Sequence, residues 1–517
     1  MKEYVVVANN ETDIDSVHED LTAPHGSDTI PNRPVDIADA KPLNERITNY
    51  VLTDEEAKKL ADDPRVEAVH LKPDPRTMRP FTVQTPRTWD NRPGNFNRDG
   101  TLDNRNVNWG LRRTSVAAPE KTVGTTYEYE ADGTGVDVVI MDDGVQTNHP
   151  EFLNAQGQSR VKEINWFTAA GVSGTMPTGF YDYTTFGDGE HGTHVAGIAC
   201  GKTYGYAKNA DIYSMRIFDD VNGAASFSSD MAFDLIKLWH QRKGNGRPTV
   251  VNMSWGYAWY YTGDPNRPAL RCITAVNYRS KLTSYANKPT APLRANGMVG
   301  PEHGFRVPSI DAQVTDGEAA GIIYCAAAGN YGHKVDVPGG ADYNNYYKLS
   351  FENIEPANTP VYYHRGSSPR GTIQVTAAEV TVAKTGNTLN ELLASYSERG
   401  PGCDVVAPGT NIASSTSLQS GFGPYAYQFG TQAQTSNKAV SISGTSMATP
   451  QVTGVCALYL QRNPTKTPAQ VKAWIAAKSK TNQVKTSTKT DDWTNSQALL
   501  GGPNRYLFNP YRNGYTD

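Results

Sequence analysis

The run Gly444-Thr445-Ser446-Met447-Ala448-Thr449-Pro450 sets a serine among small residues, just ahead of an apolar stretch, 452–460, patterned as a buried helix. A hydroxyl at that point meets the free N–H groups of a first helical turn and the positive end of the helix dipole. An oxyanion forming beside Ser446 would be stabilised by groups already in place, as acyl transfer requires. A lone serine ahead of a helix is commonly only an N-cap. Nucleophilic chemistry therefore needs a base, an orienting carboxylate and a second oxyanion donor. Three segments offer them. Ile140-Met141-Asp142-Asp143-Gly144 ends a buried strand in acids, and an Asp there can accept from a histidine and fix its tautomer. His191-Gly192-Thr193-His194-Val195-Ala196-Gly197 opens a helix with His191 toward the cleft. Ala326-Ala327-Ala328-Gly329-Asn330 ends another buried strand in a neutral amide donor. Singly, each has an ordinary reading as a turn aspartate, a structural histidine or a loop amide. His191 and His194 also share a helix face that could bind metal, although no Glu of an H-E-x-x-H pattern accompanies them.

Positioning these groups takes an α/β scaffold. Short apolar runs at 136–141, 212–217, 249–253, 321–327 and 372–376 read as strands buried on both faces. Helical patterns at 194–200, 229–241 and 311–320 lie between them, which predicts a doubly wound parallel sheet over residues 108–517. Ahead of it, 4–7, 47–52 and 66–71 read as strands, 13–21 as a helix, and Thr53-Asp54-Glu55-Glu56 as a capping box opening a second helix. That order predicts a small ferredoxin-like α/β domain over 1–72. Residues 73–107 are rich in Pro, Arg, Asn and Gly and read as a linker. Polar, aromatic-bearing stretches at 257–306, 331–370 and 415–437 read as surface insertions, where a protein partner could bind.

Bulk properties narrow the class. The chain has 517 residues and a net charge of −4, so no broad basic surface argues for nucleic acid. No apolar run is long enough for a secretory signal or a membrane span, which predicts a protein made in the cytoplasm. Cys200, Cys272, Cys325, Cys403 and Cys456 are odd in number and without close pairs. They fit neither a disulfide framework nor a zinc site and read as thiols in a reducing compartment.

Together the four site segments closely resemble the subtilisin-like serine proteases (the subtilase family, peptidase S8), whose chain order is Asp, His, Ser. Trp109-Gly110-Leu111, Asn252-Met253-Ser254-Trp255-Gly256 and Val405-Val406-Ala407-Pro408-Gly409 extend the resemblance across 108–505. It implies a subtilisin-like fold, Asp142, His191 and Ser446 as the catalytic triad, and Asn330 as the oxyanion-hole donor. It further implies that Ser254, Trp255, Gly256, Ala328 and Gly329 bind polypeptide substrates. The first 72 residues resemble the inhibitory, fold-assisting propeptide of that family, 50–71 most of all. This implies an autoprocessed zymogen whose own propeptide is an intramolecular inhibitor, cut somewhere in 72–108. The Asp-Asp-Gly and Ser-Trp-Gly segments are also similar to those of the proprotein convertases, which cut after basic residues. Those enzymes carry acids just after Ser-Trp-Gly, where this chain has Tyr257-Ala258-Trp259-Tyr260-Tyr261, so a broad or apolar preference is expected. No cofactor is needed for the chemistry. Structural calcium is an option within the family, with Glu151 and Glu379 where acidic ligands often stand; either reads equally as a solvated surface carboxylate. A different class of function is a structural or binding protein on a subtilase scaffold, virion-associated for example, with little or single-turnover activity.

Overall fold

Alternate residues of the Asp137–Asp142 strand enter two different cores, because neighbouring side chains of a strand leave on opposite faces. Val138 and Ile140 pack with Val195 and Ile198 of helix Glu190–Cys200 and with Val452 and Val455 of helix Thr445–Arg462. Val139 and Met141 pack with Phe233 and Ile236 of helix Ser229–Arg242 and with Ile310 and Val314 of helix Pro308–Ala319. All six residues of the strand are buried, as a sheet covered on both faces requires.

The computed structural model describes residues 1–30, 33–39, 43–73, 77–80, 108–116, 127, 129–182, 189–218, 226–260, 272–284, 302–350, 360–382, 389–417, 427–428, 438–485 and 498–511. Its main sheet runs in parallel through Val405–Pro408, Ile373–Val382, Ile323–Ala327, Thr249–Met253, Asp137–Asp142, Asp211–Arg216 and Val161–Lys162. The fold is thus the subtilisin-like α/β class that the sequence predicts. The chain steps from Asp137–Asp142 to a neighbour on one side, then returns to Thr249–Met253 on the other. This reversal opens a crevice at the carboxyl end of the strand, where Asp142 lies.

The amino-terminal elements form a separate antiparallel sheet in the order Asp36–Asp39, Ile47–Leu52, Lys2–Ala8, Val66–Leu71, with helices Glu11–Thr22 and Asp54–Leu60. The capping box at Thr53 and Glu56 forms as its sequence predicts. Asp36–Asp39 was not predicted, since all four residues are exposed and carry no apolar alternation. Val5, Val7 and Ile47 of this sheet pack on Ala312 of the Pro308–Ala319 helix. Arg46 reaches the Asp316 carboxylate at 3.1 Å, Asn44 donates to Asp234 at 3.0 Å, and the Ser309 N–H donates to His70 Nε2 at 3.2 Å.

Two expectations about the connecting segments change. Within 73–107, Met78–Pro80 is a strand paired with Trp255–Tyr260, although 74–76 and 81–107 lie outside the described residues. The stretches 257–306 and 331–370 are not independent excursions. Cys272–Tyr278 of the first pairs with Tyr346–Ser350 of the second, in a four-stranded sheet with Lys281–Ser284 and Pro360–Tyr362 at its edges, around Ile273, Val276, Tyr347 and Val361. In 415–437, residues 418–426 and 429–437 lie outside the described residues. Cys200, Cys325, Cys403 and Cys456 are buried free thiols. Among the described residues no helix is long and apolar enough to cross a membrane.

Candidate active site

Adjacent aspartates at the end of the Asp137–Asp142 strand have different tasks. Asp142 is fully buried and its Oδ1 lies 2.7 Å from His191 Nδ1. Asp143 caps the histidine helix: its Oδ2 accepts from the His191 N–H at 3.0 Å and its Oδ1 from the Gly192 N–H at 2.6 Å. The helix has no capping bond from its own N-cap, Gly189, so Asp143 supplies one from another strand. A Cβ at Gly192 would collide with the Gly144 carbonyl, which explains why small residues meet there. With Nδ1 donating to Asp142, His191 Nε2 is left as an acceptor, and it has no partner among the described residues. Burial alone would lower the His191 pKa, but the charge of Asp142 and then that of Asp143 outweigh it and hold it above 6.5. Burial and the neighbouring Asp142 charge push the Asp143 carboxyl up to about 7, against the pull of its two N–H donors.

His194, one turn on, is equally buried, but its Nε2 lies 3.0 Å from the Val440 carbonyl oxygen and burial lowers its pKa to about 3. It ties the helix to the Lys438–Ile442 strand. Among the described residues no group of three or more His, Cys, Asp or Glu could hold an ion.

Ser446 lies in the first turn of the Thr445–Arg462 helix, fully buried. Pro450, inside the same helix, lacks the N–H that would bond the Ser446 carbonyl. The Ser254 hydroxyl donates to that carbonyl instead, at 2.9 Å, while Ser446 Oγ donates to the Ser254 carbonyl at 2.7 Å. Ser254 is thus a two-way clamp on the nucleophile candidate. Asn252 donates to Ser254 Oγ and accepts from Thr453, which fixes the strand to the helix. Asn330 Oδ1 accepts from both the N–H and the hydroxyl of Thr445, at 2.9 Å each. Its Nδ2 is buried and unpartnered among the described residues. The amide is held by its oxygen and offers its nitrogen.

The remaining expected residues divide. Ala328 is buried and Gly329 takes φ +121°, with its N–H 3.3 Å from Thr445 Oγ1. A Cβ on Gly329 would come within 2.7 Å of the Glu398 carboxyl carbon. Glu398 is 1% exposed, neither of its oxygens has a hydrogen-bond partner among the described residues, and burial raises its pKa well above the ordinary value. Trp255 is buried against Phe233 and Tyr257, while the Trp255-Gly256-Tyr257 backbone pairs with Met78–Pro80. Glu151 is not a solvated surface carboxylate: it is fully buried, and its Oε2 accepts from the Thr203 and Tyr204 N–H groups at 2.9 and 3.3 Å. Oε2 is therefore occupied by two donors, while Oε1 is buried without a hydrogen-bond partner among the described residues. Glu379 lies half-buried inside the Ile373–Val382 strand, opposite Leu392. Sequence reasoning missed the roles of Asp143, Pro450, Asn252 and Glu398. For Pro450 a signal existed, since a proline four residues after the serine frees that serine's carbonyl.

A model of the Subtilase family matches residues 133–497. An extracellular serine proteinase of Thermus sp. (strain Rt41A) is 27% identical over 459 residues, covering 89% of this chain and 74% of that one. Proteinase T of Parengyodontium album is 27% identical over 355 residues, 68% of this chain and 80% of that one. The alkaline serine exoprotease A of Vibrio alginolyticus is 27% identical over 380 residues, but only 48% of its length is covered. Among solved structures, fervidolysin from Fervidobacterium pennivorans, a keratinolytic enzyme related to subtilisin, superposes with a TM-score of 0.52 at 19% identity. That match covers 98% of this chain and 60% of that one, and it shows a shared fold. With the family match spanning well over half of its residues, this chain belongs to the subtilase family of serine peptidases.

Proposed function

We propose that the chain is a serine endopeptidase, made as a zymogen, that cleaves peptide bonds through Asp142, His191 and Ser446. The observation that carries the proposal is the 2.7 Å Asp142–His191 bond, which leaves Nε2 as an acceptor with no partner among the described residues. His191 Nε2 takes the proton as Ser446 Oγ attacks the carbonyl carbon. The C–N bond then breaks, the amine leaves with that proton, and water hydrolyses the acyl-enzyme. Asp142 stays ionised and stabilises the imidazolium. Asn330 Nδ2 and the Ser446 N–H receive the oxyanion. For attack, Ser446 Oγ has to leave the Ser254 carbonyl and reach His191 Nε2, which has no hydrogen-bond partner among the described residues.

Residues 1–72 act as the intramolecular inhibitor, a role supported by their packing on the Pro308–Ala319 helix and by the Arg46–Asp316 ion pair. The preference at the cut is broad or apolar. The Glu398 carboxyl lies beside Gly329, and burial raises its pKa well above the ordinary carboxylate range, which disfavours a standing charge for a basic side chain. The test is to treat the chain and its Ser446→Ala variant with a serine-directed fluorophosphonate and to measure intact mass and casein hydrolysis. Labelling and hydrolysis by the parent alone are expected. An unlabelled, inactive parent would overturn the proposal in favour of a scaffold role.

A further inference from the structure

We propose that the cleft between the amino-terminal domain and the Pro360–Tyr362 strand binds the carboxy-terminal end of a peptide, an apolar last residue with its free carboxylate. The idea that cleavage products supply such peptides rests on the peptidase reading above; the binding itself does not. The cleft has a volume of about 680 Å³, in the range of small-ligand sites. Its apolar walls come from three parts of the chain. Val69 and Leu71 belong to the Val66–Leu71 strand, Phe305 and Val307 lead into the Pro308–Ala319 helix, and Val361 and Tyr362 lie in the Pro360–Tyr362 strand. Val66–Leu71 and Pro360–Tyr362 are each the outermost strand of their sheet, so each has a backbone edge without a ladder partner among the described residues. Such edges take up extended peptides through main-chain hydrogen bonds, which an acyl chain cannot make.

Charge selects the end of the peptide. Three carboxylates line the cleft, and each already has a cation: Asp54 meets Lys2 at 3.1 Å, Glu3 meets Lys72 at 3.0 Å and Asp311 meets Arg370 at 3.4 Å. Lys58, Arg306 and Arg365 line it too, and among the described residues none of them has a carboxylate within ion-pair distance. The lining is left with a surplus of positive charge. Arg306 Nε donates to the Ser368 carbonyl at 2.9 Å, and burial lowers the Arg306 pKa although the charge of Asp311 opposes it. An added anion would relieve that cost. Arg365 lies 3.5 Å above the Tyr362 ring and donates to the Tyr343 carbonyl and to Asn344 Oδ1, at 3.4 and 2.9 Å. Both guanidiniums are thus fixed by neutral acceptors, and each has N–H groups left for a carboxylate. Lys58 adds its charge from the Asp54–Leu60 helix, so a carboxylate in the cleft meets cations of both domains.

The test is calorimetric titration of the full-length Ser446→Ala chain, which the peptidase reading leaves unable to cut the probe, with the peptide N-acetyl-Ala-Leu-Phe. Saturable binding is expected, weaker by roughly tenfold or more for the carboxamide of the same peptide, because a charge-assisted hydrogen bond is lost. Arg365→Ala and Lys58→Ala in that background should each weaken binding of the acid several-fold. Lys59→Ala, on the same helix but outside the cleft, should leave it unchanged. Thermal melting of each variant checks that it is folded. Absence of binding, equal binding of acid and carboxamide, or binding unaltered by both Arg365→Ala and Lys58→Ala overturns the site. Decanoate bound in place of the peptide overturns the choice of a peptide. A parent that fails to hydrolyse casein strikes the peptidase reading and leaves the binding result standing.

Discussion

Two helices begin at this site, and their amino termini are closed in opposite ways. The Glu190–Cys200 helix is capped by a carboxylate, that of Asp143, which takes the N–H groups of His191 and Gly192. The Thr445–Arg462 helix is capped by a neutral amide, that of Asn330, which takes the Thr445 N–H and leaves its own Nδ2 unpartnered. A carboxyl at the first end completes a helix that holds His191 in place, and in its ionised form it helps keep the imidazole basic. A fixed anion at the second end would repel an oxyanion. There the cap is uncharged, and the donors of the first turn remain for charge that exists only in the transition state. Under the proposed mechanism, one terminus positions and the other receives.

That contrast can be broken in stages. The largest effect is expected from Asp142→Asn, which leaves the cap on the histidine helix but removes the charge facing Nδ1. Turnover should fall about 10⁴-fold, the size seen for triad aspartates in trypsin and in subtilisin itself. In the parent, kcat/KM should fall as pH drops through the His191 pKa, which lies above 6.5, because a protonated imidazole cannot act as base. In the variant the remaining acid limb should shift to lower pH. The raised pKa also makes His191 a stabilising group below about pH 6.5, and that contribution is lost as pH rises through the folded value.

Next comes Asn330→Ala, at the receiving end. Steady-state kinetics should show turnover lower by roughly 10²–10³, the range known for the matching subtilisin asparagine. An unchanged rate would remove Asn330 from the mechanism. Asp143→Ala, at the positioning end, should act least on chemistry and most on the scaffold. The expected loss is about 1–2 kcal/mol of stability, the ordinary cost of deleting an N-cap, read by thermal melting. The Asp143 carboxyl titrates near 7 in the folded chain instead of at its ordinary 3.8, so its contribution falls as pH rises through that window. The deficit of the variant should shrink from pH 5 to pH 8. A loss as large as that from Asp142→Asn would show that the two aspartates do not divide the work.

Much of the scaffold is legible in the residues alone. The apolar runs at 249–253 and 66–71 coincide with the strands Thr249–Met253 and Val66–Leu71, because strands buried on both faces leave continuous apolar runs and amphipathic edges leave alternation. Thr53 and Glu56, and Pro468 after Thr467, mark helix starts by local chemistry that no tertiary contact has to supply. Met78–Pro80 is invisible in that reading. A three-residue strand in a segment rich in Pro and Arg has no periodicity, and the Trp255–Tyr260 edge defines it. The sheet shared by 257–306 and 331–370 is hidden for the same reason: its strands find partners about 70 residues away.

By itself the sequence determined which four side chains could do the chemistry, since acid, base, nucleophile and amide donor each sit beside a strand end or helix start marked by local pattern. Only the tertiary structure decided how each is used. Asp142 and Asp143 are neighbours of one residue type, and nothing local separates the one that meets His191 Nδ1 from the one that caps its helix. Ser254 becomes a clamp only because Pro450 leaves a carbonyl open across the cleft. Hydrogen bonds between residues 48 to 192 positions apart have no signature in spacing, so the assignment had to wait until the strands and helices were packed together.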